Sequence, residues 1–416
     1  MKRISLPLLK SPTAKYALNI ALLQGLFWFA WAFGNYGNYC LQANGFLPSQ
    51  IGAINSLGCV SGILSSFVFG YISDRINSIK KTFIFTLIIS AVILAVFPFI
   101  PLHYSYSYAL MLIYFTTTNF FRGITPTLLD NLSVRTCALL GINFGLIRCI
   151  GSITFTGSQL IITNLLKRYS PSILLPISSI LIIPTLILLS VTYDPKLPKQ
   201  TDAEADGKTG PKPEKSVSIK PLLKNYYYLT FVIFAFIFYL AYNCEYTFIT
   251  YFMAERSIPL HKFAIFVAIR ALTEVPTLLV TKHLRCRIKL KYLILLSCGM
   301  ISVYFFIFAF LAYSIEVMIA VAVLFGLGNG FLIGTFSTYL YKLAPDNLKA
   351  TSQTMYNAIA SAAGIIGNFL SGFIYDAMGG RWFYTLLGGI TVFSTLFFAA
   401  SLFMRKRLPN PGDELN

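Results

Sequence analysis

Residues 130–159 read DNLSVRTCALLGINFGLIRCIGSITFTGSQ, a largely apolar stretch with charges inside it. Arg148 sits about nine residues inside an apolar run of helix length. A lone guanidinium at that depth costs about 3 kcal/mol or more unless it faces protein or water. Asp130 lies eighteen residues earlier, near the end of the preceding apolar run. If the two runs form a helical hairpin, carboxylate and guanidinium approach from neighbouring helices. Phe155 follows Arg148 by seven residues, two helical turns, which puts a ring on the same side as the charge. A charge pair beside an aromatic platform suits a polar organic solute. The plainer alternative is a buried ion pair that only fixes helix packing.

The rest of the chain puts that pair in a membrane. Of 416 residues, 56% are hydrophobic and only 12% are charged. Soluble domains carry about 25% charged residues, so a polytopic membrane protein is expected. The net charge of +18 would suggest nucleic acid only if the basic residues formed a patch. They flank apolar runs instead, which excludes a nucleic-acid partner. The seven cysteines are scattered without any C-x-x-C, and His103, His261 and His283 fall in or beside loops. Neither a disulfide framework, a metal site nor a cofactor is indicated. No nucleophile–base pair is evident, so the chain does not read as an enzyme. The opening MKRISLPLLKSPTAK precedes a run long enough to span, without an A-x-A site, so an uncleaved first span is expected.

Twelve apolar runs are long enough to cross a core of ~30 Å at ~1.5 Å per residue. They lie near 15–36, 49–72, 82–101, 106–130, 139–165, 171–193, 223–252, 260–281, 290–312, 315–341, 350–375 and 382–404. Of the 33 Lys and Arg, 25 fall on the side holding the termini, five on the other, and three (Arg122, Arg148, Arg270) within runs. That bias makes both termini cytoplasmic in a multi-pass inner-membrane protein. Between the sixth and seventh runs lies DPKLPKQTDAEADGKTGPKPEKSVSIK, too polar to bury a core. The expected organisation is therefore 1–193 as one six-helix bundle, 194–222 as a cytoplasmic linker, 223–404 as a second bundle and 405–416 as a tail. Asp130-Asn131-Leu132 recurs as Asp346-Asn347-Leu348, 216 residues on, and at that offset Gly151 meets Gly367. A duplicated half predicts such an echo.

Charges inside the runs fall at Arg122, Asp130, Arg148, Glu245, Arg270 and Glu274. Arg270 precedes Glu274 by one turn, and Glu245 has a depth that can meet Arg270. Desolvation and a nearby arginine act oppositely on a carboxyl group. A carboxylate that loses and regains its arginine would therefore bind and release a proton. Glu274, Asp130 and Glu245 are the proton-coupling candidates, each with a static interhelical salt bridge as the plainer alternative. In the first run, Gln24, Trp28, Trp31 and Asn35 recur at helical spacing and offer stacking and hydrogen-bonding groups on one face. Asn357 in the eleventh run is a further candidate for solute contact. Aromatic and small polar residues also serve simply to pack helices. Gly326, Gly328, Gly330 and Gly334 in the tenth run permit close helix approach.

Twelve spans in a 6+6 plan with a long central loop resemble the major facilitator superfamily. After the second run, Gly70-Tyr71-Ile72-Ser73-Asp74-Arg75 and then Lys80-Lys81 resemble that family's G-x-x-x-D-[R/K]-x-G-[R/K] signature, with Asn77 where the second glycine is usual. The resemblance implies an all-α membrane protein of twelve transmembrane helices in two pseudo-symmetric six-helix bundles. It also implies gating roles for Gly70, Asp74 and Arg75. The third, sixth, ninth and twelfth spans, outermost in that fold, carry no charge here. Phe144-Gly145-Leu146-Ile147-Arg148, with Asp130 eighteen residues before the arginine and Phe155 seven after it, is similar to the lactose permease and related oligosaccharide and nucleoside proton symporters. Lys349-Ala350-Thr351-Ser352-Gln353-Thr354-Met355-Tyr356-Asn357 resembles the R-A-T-x-Q-x-x-Y string of that branch, and Glu274-Val275-Pro276 resembles its substrate-side carboxylate. The branch's His and Glu in the tenth span and Arg in the ninth have no counterpart, so that coupling site is not carried over. The glycine–proline cluster of drug antiporters is absent from the fifth span.

These readings converge on a monomeric secondary transporter that imports a small polar organic solute, a sugar or nucleoside-like molecule. Proton symport by alternating access is expected, with one solute site near the membrane centre. An exporter or antiporter, an organic-anion transporter and a non-transporting membrane sensor are the alternatives.

Overall fold

A computed structural model describes residues 12–102, 104, 106–142, 144–194, 222, 224–345 and 348–404. Every regular element among them is helical, as lipid requires of single segments whose backbone groups must be satisfied internally. Most of the expected linker, the tail and Asp346-Asn347 of the repeated motif lie outside the described residues.

The first run forms α1 (Pro12–Phe33), a 3₁₀ turn at Gly34–Tyr36 and α2 (Gly37–Ala43). Next come α3 (Pro48–Ile76), α4 (Ile79–Val96), α5 (Ser107–Arg122), α6 (Thr125–Leu140), α7 (Phe144–Leu166) and α8 (Leu174–Val191). Beyond the linker follow α9 (Tyr226–Glu245), a 3₁₀ turn at Tyr246–Phe248, α10 (Ile249–Glu255), α11 (Phe263–Leu284), α12 (Leu290–Leu311), α13 (Ile315–Leu343) and α14 (Lys349–Met404).

Helices cover all twelve predicted runs, but nine among the described residues are long and apolar enough to span by that measure alone. Three differences account for the gap. The fourth run breaks at Gly123–Ile124 into two 16-residue helices, with Pro126 opening the second, and continues ten residues past its expected end. The eighth, α11, is diluted by Arg270, Thr273, Glu274 and Thr277. The eleventh and twelfth run together as α14, interrupted only at Gly379, whose φ of 71° suits glycine alone.

The described residues of Met1–Asn44 and Ser61–Pro198 form one compact unit, and those of Gly45–Val60 and Lys199–Asn416 the other. The expected halves differ from these units chiefly at 45–60. There the Ser49 amide donates to Asp376 at 3.0 Å, and the Ser56 hydroxyl donates to the Ile365 carbonyl at 2.9 Å.

Within the first unit α1 packs on α7 and α8, and α4 on α8. Within the second, α9 packs on α14 and α11 on α13. The echoed glycines occupy matching places in this scheme. A Cβ at Gly151 would lie 2.5 Å from Cδ1 of Trp28 on α1, and one at Gly367 would lie 2.6 Å from the Leu240 carbonyl on α9. Each glycine thus seats a fifth-position helix against the first helix of its unit, the close approach that small residues allow. Buried rings fill the second unit's core, with Phe234 stacked on Phe398 at 4.7 Å.

Asp74 and Arg75 end α3 on its exposed side. Asn77, which stands where the resembled signature has its second glycine, adopts the left-handed conformation, φ 53°; after glycine, asparagine is the residue that most readily does so. Ser78 then caps α4 and donates to Asp194, while Lys80 Nζ donates to the Ser190 and Thr192 carbonyls at the end of α8.

Candidate functional site

In the first unit, polar side chains gather on the α1 face that the spacing picks out. Gln24 is fully buried and donates to Asp130 Oδ1 at 3.2 Å and Ser133 Oγ at 2.9 Å on α6. Its own carbonyl accepts from Trp28 Nε1 at 2.9 Å. The network therefore fixes the Trp28 ring by its only donor. Arg148 lies over that ring, Cζ 4.2 Å from the centroid, and Phe155 meets its edge at 6.5 Å.

The Arg148–Asp130 ion pair is long, Nε to Oδ1 3.7 Å, and its side chains are 33% and 38% exposed. Among the described residues Arg148 makes no hydrogen bond, so its guanidinium donors remain open. Arg148 is only the fifth residue of α7, since the helix starts at Phe144 rather than near 139. Asp130 lies within α6, not at a helix end. Gly141, φ 67°, closes α6 and makes the turn of the hairpin.

Trp31 on α1 and Asn35 in the 3₁₀ turn that follows it belong to a different arginine. Arg122 Nη2 donates to the Trp31 carbonyl at 2.8 Å and to Asn35 Oδ1 at 3.1 Å. Its Cζ lies 3.6 Å above the Trp31 ring. A Cβ at Gly34 would lie 2.7 Å from Nη2, so this approach requires glycine at the α1 break. Arg122 was not among the binding candidates from sequence; its signal was its depth in a run, the same signal that marked Arg148.

In the second unit, Arg270 and Glu245 form a two-pronged pair, Nη1–Oε1 and Nη2–Oε2 both 2.9 Å. Glu245 is 1% exposed, also accepts from the Tyr304 hydroxyl, and Arg270 lies 3.7 Å over the Phe325 ring. The adjacency of Arg270 and Glu274 on one helix therefore does not become a contact between their charges. Glu274 Oε2 accepts from Asn329 Nδ2 at 2.9 Å, and Asn329 Oδ1 accepts from the Tyr242 hydroxyl at 2.6 Å. Gly326 and Gly330 bring α13 to this place: a Cβ there would lie 2.5 Å from the Arg270 carbonyl and 2.7 Å from the Glu274 carbonyl, respectively.

Asn357 is exposed and takes no part in either cluster. Tyr242, Asn329 and Tyr304 were not among the site candidates from sequence, because tyrosine and asparagine inside apolar runs carry no partner information. No group of three His, Cys, Asp or Glu that could hold a metal occurs among the described residues.

A family model described as the MFS_1 like family matches residues 26–386. The chain is 25% identical over 367 residues to a Bacillus subtilis (strain 168) protein named uncharacterized transporter YwbF, covering 87% of this chain and 86% of that one. Its fold is similar to the crystal structure of the nucleoside transporter NupG, with TM-score 0.74, 18% identity, and coverage of 93% of this chain and 99% of that one. It is also similar to a POT family transporter in complex with a thioalcohol-conjugated peptide, with TM-score 0.69, 12% identity, and 93% and 96% coverage. With the helical fold, the apolar spans and a match across most of its length, the chain belongs to the MFS_1-like family and is a multi-pass membrane transporter of the major facilitator superfamily.

Proposed function

We propose that this transporter imports a small polar organic solute with a ring, sugar or nucleoside-like, by proton symport through alternating access. The observation that carries the reading is Arg148: a part-exposed guanidinium over the Trp28 ring, with a distant carboxylate and no hydrogen bond among the described residues. Such a group offers paired donors to hydroxyls beside a stacking surface. Trp28 and Phe155 supply the aromatic faces, and Gln24, itself bonded to Asp130, holds the Trp28 ring. The fold similarity to the crystal structure of the nucleoside transporter NupG supports this solute class.

Glu274 is the proposed proton carrier. It is partly exposed and shares the amide of Asn329, whereas Glu245 is sealed against Arg270. Asp74 and Arg75, with Gly70, are the proposed gating residues. The chain is proposed to act as a monomer in the cytoplasmic membrane, with twelve spans in halves 1–193 and 223–404 and both termini cytoplasmic.

The test is uptake of labelled sugars and nucleosides into vesicles containing the purified protein, with and without an imposed pH gradient. The proposal expects gradient-stimulated uptake that Glu274→Gln uncouples. Uptake indifferent both to the gradient and to Glu274→Gln would remove proton symport.

A further inference from the structure

The two tryptophan–arginine pairs on α1 differ in charge. At the first, Arg148 has Asp130 as a counter-charge, however distant. In the second unit, Arg270 has Glu245. Arg122 has no carboxylate at ion-pair distance among the described residues; its acceptors are the Trp31 carbonyl and the Asn35 amide oxygen, both neutral. Ring stacking and neutral acceptors lessen the desolvation of a guanidinium in a membrane, yet its charge stays uncompensated.

The donors around Arg122 point the same way. Nη2 gives hydrogen bonds to two acceptors, while Nε and Nη1 find none among the described residues. Asn35 accepts through Oδ1, and its Nδ2 donates to nothing among those residues. The Trp31 indole N–H has no acceptor there either, in contrast to that of Trp28, which Gln24 holds. Arg122, Trp31 and Asn35 all keep partial exposure. A cluster whose acceptors are occupied and whose donors are open favours a ligand that only accepts.

We infer that Arg122, with Trp31 and Asn35, binds a carboxylate carried by the solute. One positive charge matches one negative charge; a phosphate dianion would leave the site with excess charge. This inference rests on the proposed function and narrows it: the ring lies against Arg148 and Trp28, and the acid group against Arg122. The transported molecule is then an acidic sugar or nucleoside derivative. Asn35 acts as a specificity-determining residue, because its neutral amide leaves the arginine charge for the solute.

Uptake by purified protein in vesicles is measured with matched pairs: galactose against galacturonate, and uridine against uridine 5′-carboxylate. The expected wild-type result is faster uptake of the acid in at least one pair. Arg122→Gln is expected to lower the acid-to-neutral ratio by roughly ten- to a hundredfold, the range of a lost charge-assisted hydrogen bond. Asn35→Asp keeps an acceptor for Nη2 while supplying an internal counter-charge, and is expected to lower the ratio comparably. It therefore separates anion binding from a merely structural clamp on α1. A neutral member preferred by the wild type in both pairs, or ratios unmoved by Asn35→Asp in well-folded protein, overturns the inference. Inorganic phosphate at equal concentration is expected not to compete; competition as strong as that of the organic acid would make the site one for free anions and also overturn it. Arg148→Ala distinguishes the two levels: if it leaves uptake of every probe intact, the proposed function fails, whereas loss of uptake in Arg148→Ala together with ratios unmoved by Arg122→Gln and Asn35→Asp sinks only the carboxylate assignment.

Discussion

Arg270 reaches across to Glu245 with two hydrogen bonds of 2.9 Å, although Glu274 lies one turn away on its own helix. The choice has a geometric reason. Carboxylate oxygens presented edge-on by α9 match the guanidinium fork, and Tyr304 and the Phe325 face complete the enclosure. Removing one partner leaves a sealed charge. Glu245→Gln is expected to destabilise the protein by about 3–5 kcal/mol, and Glu245→Gln with Arg270→Gln by less. Thermal unfolding of purified protein in detergent checks both; equal loss in the single and double variants would count against a coupled pair.

Gly151 allows α7 to reach the Trp28 indole. Gly151→Ala places a methyl 2.5 Å from Cδ1 of a ring that Gln24 pins by its N–H. Overpacking of this kind costs about 1–3 kcal/mol, and displacement of Trp28 is expected to lower uptake by more than the melting temperature suggests. Gly367→Ala, which meets backbone on α9, is expected to lower stability at least as much. Comparing uptake per folded molecule for the two variants separates site damage from packing damage.

Asn329 donates to Glu274 and accepts from Tyr242, so the amide is held in one orientation. Asn329→Asp would set two carboxylates at hydrogen-bond distance, and such pairs share one proton. The pH profile of uptake is expected to move by about one unit or more to the alkaline side. Tyr242→Phe is expected to give a smaller change in the same profile. Profiles superimposable on wild type in both variants would detach Asn329 from proton coupling.

The Asn77 turn offers a stability test away from any solute. Glycine adopts φ near 53° without strain, whereas a β-branched residue does not. Asn77→Gly is expected to hold stability within about 1 kcal/mol, and Asn77→Val to lose about 1–2 kcal/mol. Differential scanning fluorimetry of the two proteins decides it.

What could be read from sequence followed from periodicity and depth. The spacing of Gln24, Trp28, Trp31 and Asn35 defined a face, and the distance from Asp130 to Arg148 to Phe155 defined a hairpin and a side. The structure brings Gln24, Trp28, Asp130, Arg148 and Phe155 into one network. Sequence spacing could not say that Trp31 and Asn35 serve Arg122, because a long side chain from another helix chooses among several faces. Nor could it separate Glu274 from Arg270, since one-turn adjacency is only an opportunity for contact. The break at Gly123–Ile124 was invisible for a related reason: Gly and Pro inside an apolar run are tolerated when neighbouring helices satisfy the freed backbone groups.

The most direct test of the central claim compares Arg148→Ala and Arg148→Lys with wild type in vesicle uptake of the galactose and uridine pairs. Loss of paired, planar donors is expected to reduce uptake by roughly a hundredfold in Arg148→Ala, with little rescue by lysine, whose ammonium cannot reproduce the fork. Uptake by folded Arg148→Ala within about twofold of wild type, a difference well under one factor of ten in binding, would contradict the account.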